Sequence, residues 1–406
     1  MWMRDLALQI FSAGVAAADP FKAVDRALLD KPMGEVKGKT IVIAVGKAAM
    51  GMAKAANLRV SGPTEIHVIT NYENAEPVDF AKVYAAGHPV PDENGATAAQ
   101  AVITVLQSAT ADDQILALIS GGGSALLPAP VDGVSLQDKA EVSRLLLGCG
   151  AEIGQMNVIR QQLSRLKGGG FLRLAAPAKV RALILSDVVG DDLRLIASGP
   201  TTSAVGSRKQ AVDLLKTFEI WSKLPDTVQS HLMSGPQNQP DYPDVENQLV
   251  GSNYISLQAM KNQAPAARMV KEPLTGDVQQ AAEIIAKYGH GITLFGGETT
   301  VRVKGGGLGG RNQELALRVA LIAQKQGWKE GWVFLSGGTD GRDGPCDAAG
   351  GIVDANTLHE VRKSGINPEK MLQNNDSYHA LKAADALLMT GATGTNVADL
   401  QVLIRP

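Results

Sequence analysis

The stretch QILALISGGGSALLPAP, residues 114–130, joins an unbroken apolar run to a serine, three glycines and a second serine. An apolar run without polar alternation reads as a strand buried on both faces, the kind found in parallel sheets covered by helices. Glycines directly after such a strand let the backbone turn tightly and let a ligand approach with no Cβ in the way. Successive N–H groups can then point into one concavity and receive an anion. Ser120, Gly121, Gly122, Gly123 and Ser124 therefore read as a phosphate-binding loop, with the serine hydroxyls as further donors. The plainer alternative is a tight turn between packed elements.

The pattern repeats on either side. TIVIAV (40–45), IHVIT (66–70), KVYAA (82–86) and VRALILS (180–186) read as strands. Helices follow residue 46, cover 94–108 and occur twice within 135–167. This alternation predicts an α/β fold whose N-terminal domain is a Rossmann-like, mostly parallel sheet. MSGPQNQPDYPDVEN (233–247) is rich in Pro, Asn, Asp and Gln, which predicts a surface linker and a domain boundary near 240. The expected domains are 1–240 and 241–406. In the second α/β domain QLVGS (248–252), GITLF (291–295), TTVRV (299–303), WVFLS (332–336), ALLMT (386–390) and LQVLI (400–404) are expected strands, with a helix from about 310 to 326. Leu6, Ile10, Ala13 and Ala17 recur at helical spacing, so the N-terminus reads as an amphipathic helix ending before Pro20 rather than as a signal peptide.

The chain's 406 residues suffice for two cores. A net charge of -2 and 4% aromatic residues argue against a nucleic acid or an anionic membrane as partner. No run reaches the roughly eighteen apolar residues of a membrane span. Cys149 and Cys346 match no metal or disulfide spacing, so a cytoplasmic protein with reduced thiols is expected. Subunit number is open, and a homo-oligomer is compatible with the sequence.

Several residues carry the chemistry. Lys47 follows the strand TIVIAV at a helix start, where the helix dipole disfavours a cation, so an anionic partner is expected. Arg311 follows GGGLGG and opens a helix in the same way, which suggests a guanidinium gripping phosphate or carboxylate; pairing with Glu314 is the alternative. ILSDVVGDD places Asp187 at a strand end and Asp191 and Asp192 in the next loop. These carboxylates could hold Mg²⁺ or cap a helix. Glu298 follows two glycines at a strand end, and Asp340 in SGGTDGRDG could bind metal or act as a base. Asp343 and Asp347 are expected to fix that loop through Asx turns, and His88 reads as a turn residue. The strand-to-glycine theme of 119–125 returns at 294–300, 335–344 and 388–396, which points to a large polar ligand held mainly by backbone. GEVKGKT (34–40) is not a Walker A loop, because its glycines are one residue too close and its lysine precedes the strand. No GxGxxG occurs, so a nicotinamide cofactor is not indicated.

GGETTVRVKGGGLGGRNQELAL, SDVVGDDLRLIASGPT, LSGGTDGRDGPCDAAGGIVD and NNDSYHALKAADALLMTGATGTNVADLQVLI, in this order, resemble the two-domain glycerate 2-kinases, many of which carry an older label as hydroxypyruvate reductases. The resemblance covers nearly the whole chain. It departs at GGGLGGR, where relatives often have a further lysine, and in a shortened segment near 235. It implies two α/β domains with the active site in the cleft between them. It also implies transfer of the ATP γ-phosphoryl group to the 2-hydroxyl of D-glycerate with a divalent metal, giving 2-phospho-D-glycerate. By position, Lys47 and Arg311 match the family's basic pair, loop 120–124 its phosphate loop, and Asp187 and Asp192 its acidic strand-end motif. In that scheme Lys47 offsets charge on the transferring group, and Arg311 grips the glycerate carboxylate or the γ-phosphate. Asp187, Asp192 or both hold Mg²⁺, Glu298 lies with the nucleotide, and Asp340 or Asp187 accepts the hydroxyl proton. The alternatives are an NAD(P)H-dependent hydroxypyruvate reductase and a non-catalytic nucleotide-binding module.

Overall fold

TIVIAV is buried at every position, and its β-branched residues suit an extended backbone with neighbours on both faces. It forms β1 (Thr40–Val45) at the centre of a six-stranded sheet. The computed structural model describes residues 2–234 and 243–406. The other strands of this sheet are β2 (Thr64–Asn71), β3 (Lys82–Ala86), β4 (Gln114–Ile119), β5 (Lys179–Leu185) and β6 (Val245–Gly251), in the order β3-β2-β1-β4-β5-β6. The pairs β1–β2, β1–β4, β2–β3 and β4–β5 are parallel. This is the strand order of a Rossmann sheet, which reverses between β1 and β4. The helix Glu93–Ser108 lays Val102, Ile103 and Leu106 on Ile41, Ile43, Ile115 and Ala117. QLVGS does not open a second domain: its strand is β6, the edge of the first sheet.

The second sheet is mixed. Its strands are β7 (Arg268–Met269), β8 (Leu274–Asp277), β9 (Gly291–Thr300), β10 (Val333–Gly338), β11 (Gly350–Asp354), β12 (Leu387–Leu388) and β13 (Asp399–Arg405). The order is β12-β11-β10-β13-β9-β7, with β8 also on β9. β13 runs antiparallel to both neighbours, with Asp399 opposite Gly297 on β9 and opposite Gly338 on β10. Alternate residues feed alternate faces. Phe334 and Leu403 pack under the helix Arg311–Lys325 through Leu315 and Val319. Val333, Leu335, Leu400 and Val402 pack under Ile10, Phe11, Leu257 and Met260. GITLF and TTVRV are not separate strands, because β9 continues through its glycines to Thr300.

By contacts the chain divides into Pro20–Val250 and a second unit of Met1–Asp19 with Gly251–Pro406. The helix Trp2–Ala17 thus belongs with the C-terminal sheet, where its apolar stripe has its partners. The expected boundary at 240/241, and residues 235–242 of the expected linker, lie outside the described residues. Among the described residues no helix is long and apolar enough to cross a membrane.

Candidate functional site

Register brings the chemistry together in the first unit. Val45 is level with Ile119, and Ile119 with Ile184, so β1, β4 and β5 end side by side where the strand order reverses. That is where open α/β sheets bind ligands. The residues just beyond these ends are Gly46 and Lys47, Ser120 to Ser124, and Ser186 and Asp187. The first two loops are tied together: Lys47 N–H donates to the Gly121 carbonyl at 2.9 Å, and Ser120 N–H donates to the Val45 carbonyl at 2.9 Å. Gly46 has φ 121°, and a Cβ on it would lie 2.1 Å from Ser120 Oγ, so only glycine fits this crossing.

The amides of Gly121, Gly122, Gly123 and Ser124 donate to no acceptor among the described residues. Gly122 is left-handed, with φ 84°. Amides in succession about a left-handed residue are an arrangement that can receive an anion. The serine hydroxyls differ from expectation. Ser120 is buried, and its Oγ accepts from Ala48 N–H and reaches the Val45 carbonyl, both at 3.2 Å. Ser124 Oγ lies 2.9 Å from Ser198 Oγ and accepts from Lys167 Nζ at 2.9 Å. Ser120 therefore braces the loop, and the free donors are backbone.

Lys47 and Asp187 face this array. A Cβ on Gly121 would fall 2.1 Å from Asp187 Oδ2, and one on Gly122 would fall 3.2 Å from Lys47 Cγ. The Lys47 ammonium makes no hydrogen bond or ion pair among the described residues. Burial raises the Asp187 pKa, and Lys47 pulls it back. His88 is present too, its ring 3.1 Å from the Gly122 Cβ position, with its pKa lowered by burial and then by Lys47. In the sequence His88 reads as a turn residue, because it stands in the turn-rich stretch AGHPVPDENG. A further wall is strained. Ala197 and Ser198 have φ 49° and 61°, unusual for residues with a Cβ, and Ala197 Cβ is 2.9 Å from the Gly123 Cβ position. Such strain persists where surrounding structure over-determines it, and it clusters at functional sites. Here Gln161 Nε2 donates to the Arg194 and Ser198 carbonyls, both at 3.1 Å.

Asp192 is elsewhere engaged. It takes a fork from Arg194, at 2.9 Å from Nε and 2.7 Å from Nη2, which lowers its pKa. Among the described residues no three His, Cys, Asp or Glu side chains come together as a metal site. Asp187 does fit Mg²⁺: its carboxylate accepts from no side chain and sits beside the free amides. A magnesium ion commonly takes one or two carboxylates and completes its shell with phosphate and water. Asp192, closed by its arginine, does not fit.

In the second unit Arg311 opens the helix Arg311–Lys325, as expected, and the anions beside it are the protein's own. Its Nε and Nη2 fork onto Asp399 at 2.6 and 2.9 Å, and Nη1 meets Glu298 at 2.9 Å. Burial works against this charge, yet Asp399 and Glu298 hold its pKa above the ordinary value. Glu314 pairs with Arg318 instead. Glu298 lies within β9, not at its end. Asp399 is fully buried and was missed, because it reads as the polar start of an apolar strand. Asp340 is also near: its Oδ1 and that of Asp399 are 3.1 and 3.6 Å from the Gly338 Cβ position.

Asp343 makes no local turn. It caps the helix from thirty residues away, accepting from Asn312 and Gln313 N–H at 3.1 and 2.8 Å. Burial, with Asp399 nearby, pushes it up to about 6 against the pull of those amides. The glycine run before Arg311 is not open to a ligand as loop 120–124 is. Lys304 and Gly305 N–H donate to Asn375 Oδ1, Gly306 N–H to Asn374 Oδ1, and Leu308 N–H to Asp376 Oδ1.

An open α/β sheet with amides, a lysine and a carboxylate at its switch point, the amides and the lysine without partners among the described residues, defines an α/β protein in two units with a candidate oxyanion site. The comparisons give the family. Residues 6–233 match the model described as a domain of unknown function, DUF4147, and residues 291–399 match the MOFRL family. A glycerate 2-kinase of Pyrococcus horikoshii is 37% identical across 100% of this chain and 98% of its own length. A D-glycerate 2-kinase of Thermotoga maritima is 40% identical across 98% of this chain and 97% of its own length. The crystal structure of a Thermotoga maritima glycerate kinase superposes with a TM-score of 0.92 at 38% identity, covering 100% of this chain and 99% of that one. The chain belongs to the glycerate 2-kinase family.

Proposed function

We propose that the chain transfers the γ-phosphoryl group of ATP to the 2-hydroxyl of D-glycerate, forming 2-phospho-D-glycerate. The observation that carries this reading is the meeting of the unpaired amides of 121–124 with Lys47 and Asp187 at the switch point. Full-length relatives named glycerate 2-kinases supply the acceptor.

Phosphoryl transfer asks the protein mainly to position reactants and to offset charge. The amides of 121–124 hold phosphoryl oxygens. Lys47, without a hydrogen-bond or ion-pair partner among the described residues, neutralises charge on the transferring group. Asp187 is the residue that would hold Mg²⁺, which would supply positive charge to offset that of the phosphoryl group. In the second unit, Asp399 and Glu298 fix the plane of Arg311, whose remaining N–H groups suit an oxyanion. The proton of the 2-hydroxyl goes to a carboxylate, Asp340 or Asp187. Both substrates are small molecules, and the cytoplasm suits an enzyme whose Cys149 and Cys346 are unpaired.

The test is steady-state kinetics of wild-type protein and Lys47→Ala with ATP, Mg²⁺ and D-glycerate. The expected loss is about 10²-fold or more in kcat, with an unchanged circular dichroism spectrum. Wild-type turnover in Lys47→Ala would refute the assignment. NADH consumption with hydroxypyruvate, in the absence of kinase activity, would replace it with the reductase.

A further inference from the structure

Behind the glycine loop lies a group of cations for which the mechanism above has no use. Lys139 lies on the helix Leu136–Gly148 and Arg160 on the helix Ile153–Gln162; Lys167 lies in the turn that follows. Lys167 is 6% exposed, and its ammonium donates to the Ser124 carbonyl at 2.7 Å and to Ser124 Oγ at 2.9 Å. Lys139 donates to the Pro128 carbonyl at 2.8 Å. Arg160 makes no hydrogen bond and no ion pair among the described residues. Ser198 Oγ, in the strained turn, bridges Ser124 Oγ at 2.9 Å and Asn157 Oδ1 at 3.0 Å, and Asn157 is one turn from Arg160 on the same helix.

Among the described residues no carboxylate offsets these charges. Burial, and then Arg160, pushes Lys139 down to about 7. Burial, then Lys139 and Arg160, lowers Lys167 well below its ordinary value. Like charges brought together out of water oppose one another. A fold that gathers them beside Ser124 and the amides of 121–124, with no acid among the described residues, suits completion by an anion.

We infer that Lys139, Arg160 and Lys167, beside Ser124, form a subsite for an oxyanion: the carboxylate of the acceptor acid or a phosphoryl group of the nucleotide. The choice between these two sources rests on the kinase reading; the subsite itself does not. Arg160 is its open member, because its guanidinium has no partner to lose among the described residues.

Arg160→Ala therefore removes charge without unpairing a neighbour. The probe is inorganic phosphate, with its affinity measured by calorimetry on wild-type protein, Arg160→Ala, Lys139→Ala and Arg160→Lys. Phosphate affinity is expected to fall at least about tenfold in the alanine variants and to recover in large part with lysine. KM is then measured for each substrate with the other saturating. A rise confined to D-glycerate identifies the carboxylate, and a rise confined to ATP identifies a phosphoryl group. Unchanged phosphate affinity and unchanged KM values in both alanine variants would overturn the inference, as would a wild-type protein that binds no phosphate. Loss of phosphate affinity in a protein that phosphorylates no hydroxy acid would uphold the subsite and remove the kinase reading.

Discussion

Gly121→Ala probes the contact on which the site depends. The new Cβ would lie 2.1 Å from Asp187 Oδ2 and 2.5 Å from its Cγ, so the carboxylate must retreat by about 1.3 Å to reach ordinary contact. Asp187 follows the buried Ser186 just beyond the end of β5, so its backbone is held and the carboxylate itself must swing aside. Overpacking of this kind costs about 1–3 kcal/mol. In a unit of this size that lowers Tm by about 2–10 °C. Displacing a reacting group by about 1 Å costs about 10²-fold in rate. Gly154→Ala is the control: its Cβ would meet nothing within 4 Å inside the helix Ile153–Gln162. There alanine should add about 0.5–1 kcal/mol of stability and leave kcat alone. The assays are thermal denaturation by circular dichroism and coupled turnover of ATP with D-glycerate. A Gly121→Ala protein with wild-type kcat would show that the position of Asp187 does not matter to the reaction, and the site assignment would fail.

Asp187→Asn should raise the Mg²⁺ concentration needed for half activity by about tenfold or more, whereas Asp192→Asn, which breaks only a partly exposed pair with Arg194, should leave it within about twofold; equal effects in metal titrations would remove the distinction. Asp343→Ala removes the remote cap of the helix Arg311–Lys325 and should cost about 1–2 kcal/mol in denaturant melts; an unchanged midpoint would contradict the capping role. Glu65 is held at about 2, first by Lys39, then by His67 and Lys82 against the cost of burial. A carboxyl with a depressed folded pKa stabilises fully above its unfolded value near 4.5 and loses that contribution as pH falls toward 2. After discounting for its partial exposure, Glu65→Gln should cost about 1–2 kcal/mol at pH 7 and less than half of that at pH 3; a gap that does not narrow would exclude this linkage.

The first sheet was legible because its strands are unbroken apolar runs: TIVIAV and KVYAA coincide with β1 and β3, and the donor array follows β4 where the glycines stand. Lys47 and Asp187 were legible for the same reason, since each follows a readable strand. The second sheet was harder. β11 begins GlyGly because a Cβ on Gly350 would lie 2.0 Å from the Ser336 carbonyl of β10, so a strand that needs glycine looks like a loop. β9 keeps pairing through Gly296 and Gly297, which mislead in the same way. The partners of Arg311 were hidden by distance along the chain, because Asp399 is eighty-eight residues away and meets it only through the register of β13. The basic group of Lys139, Arg160 and Lys167 left no motif at all. Its members stand on two helices and a turn, and only the packing beside Ser124 brings them together.

The most direct test of the central claim is phosphorus NMR of the product formed by purified protein from ATP, Mg²⁺ and D-glycerate. The account predicts a 2-phosphoglycerate resonance growing as ATP is consumed. A 3-phosphoglycerate resonance, or ATP left intact, would contradict it.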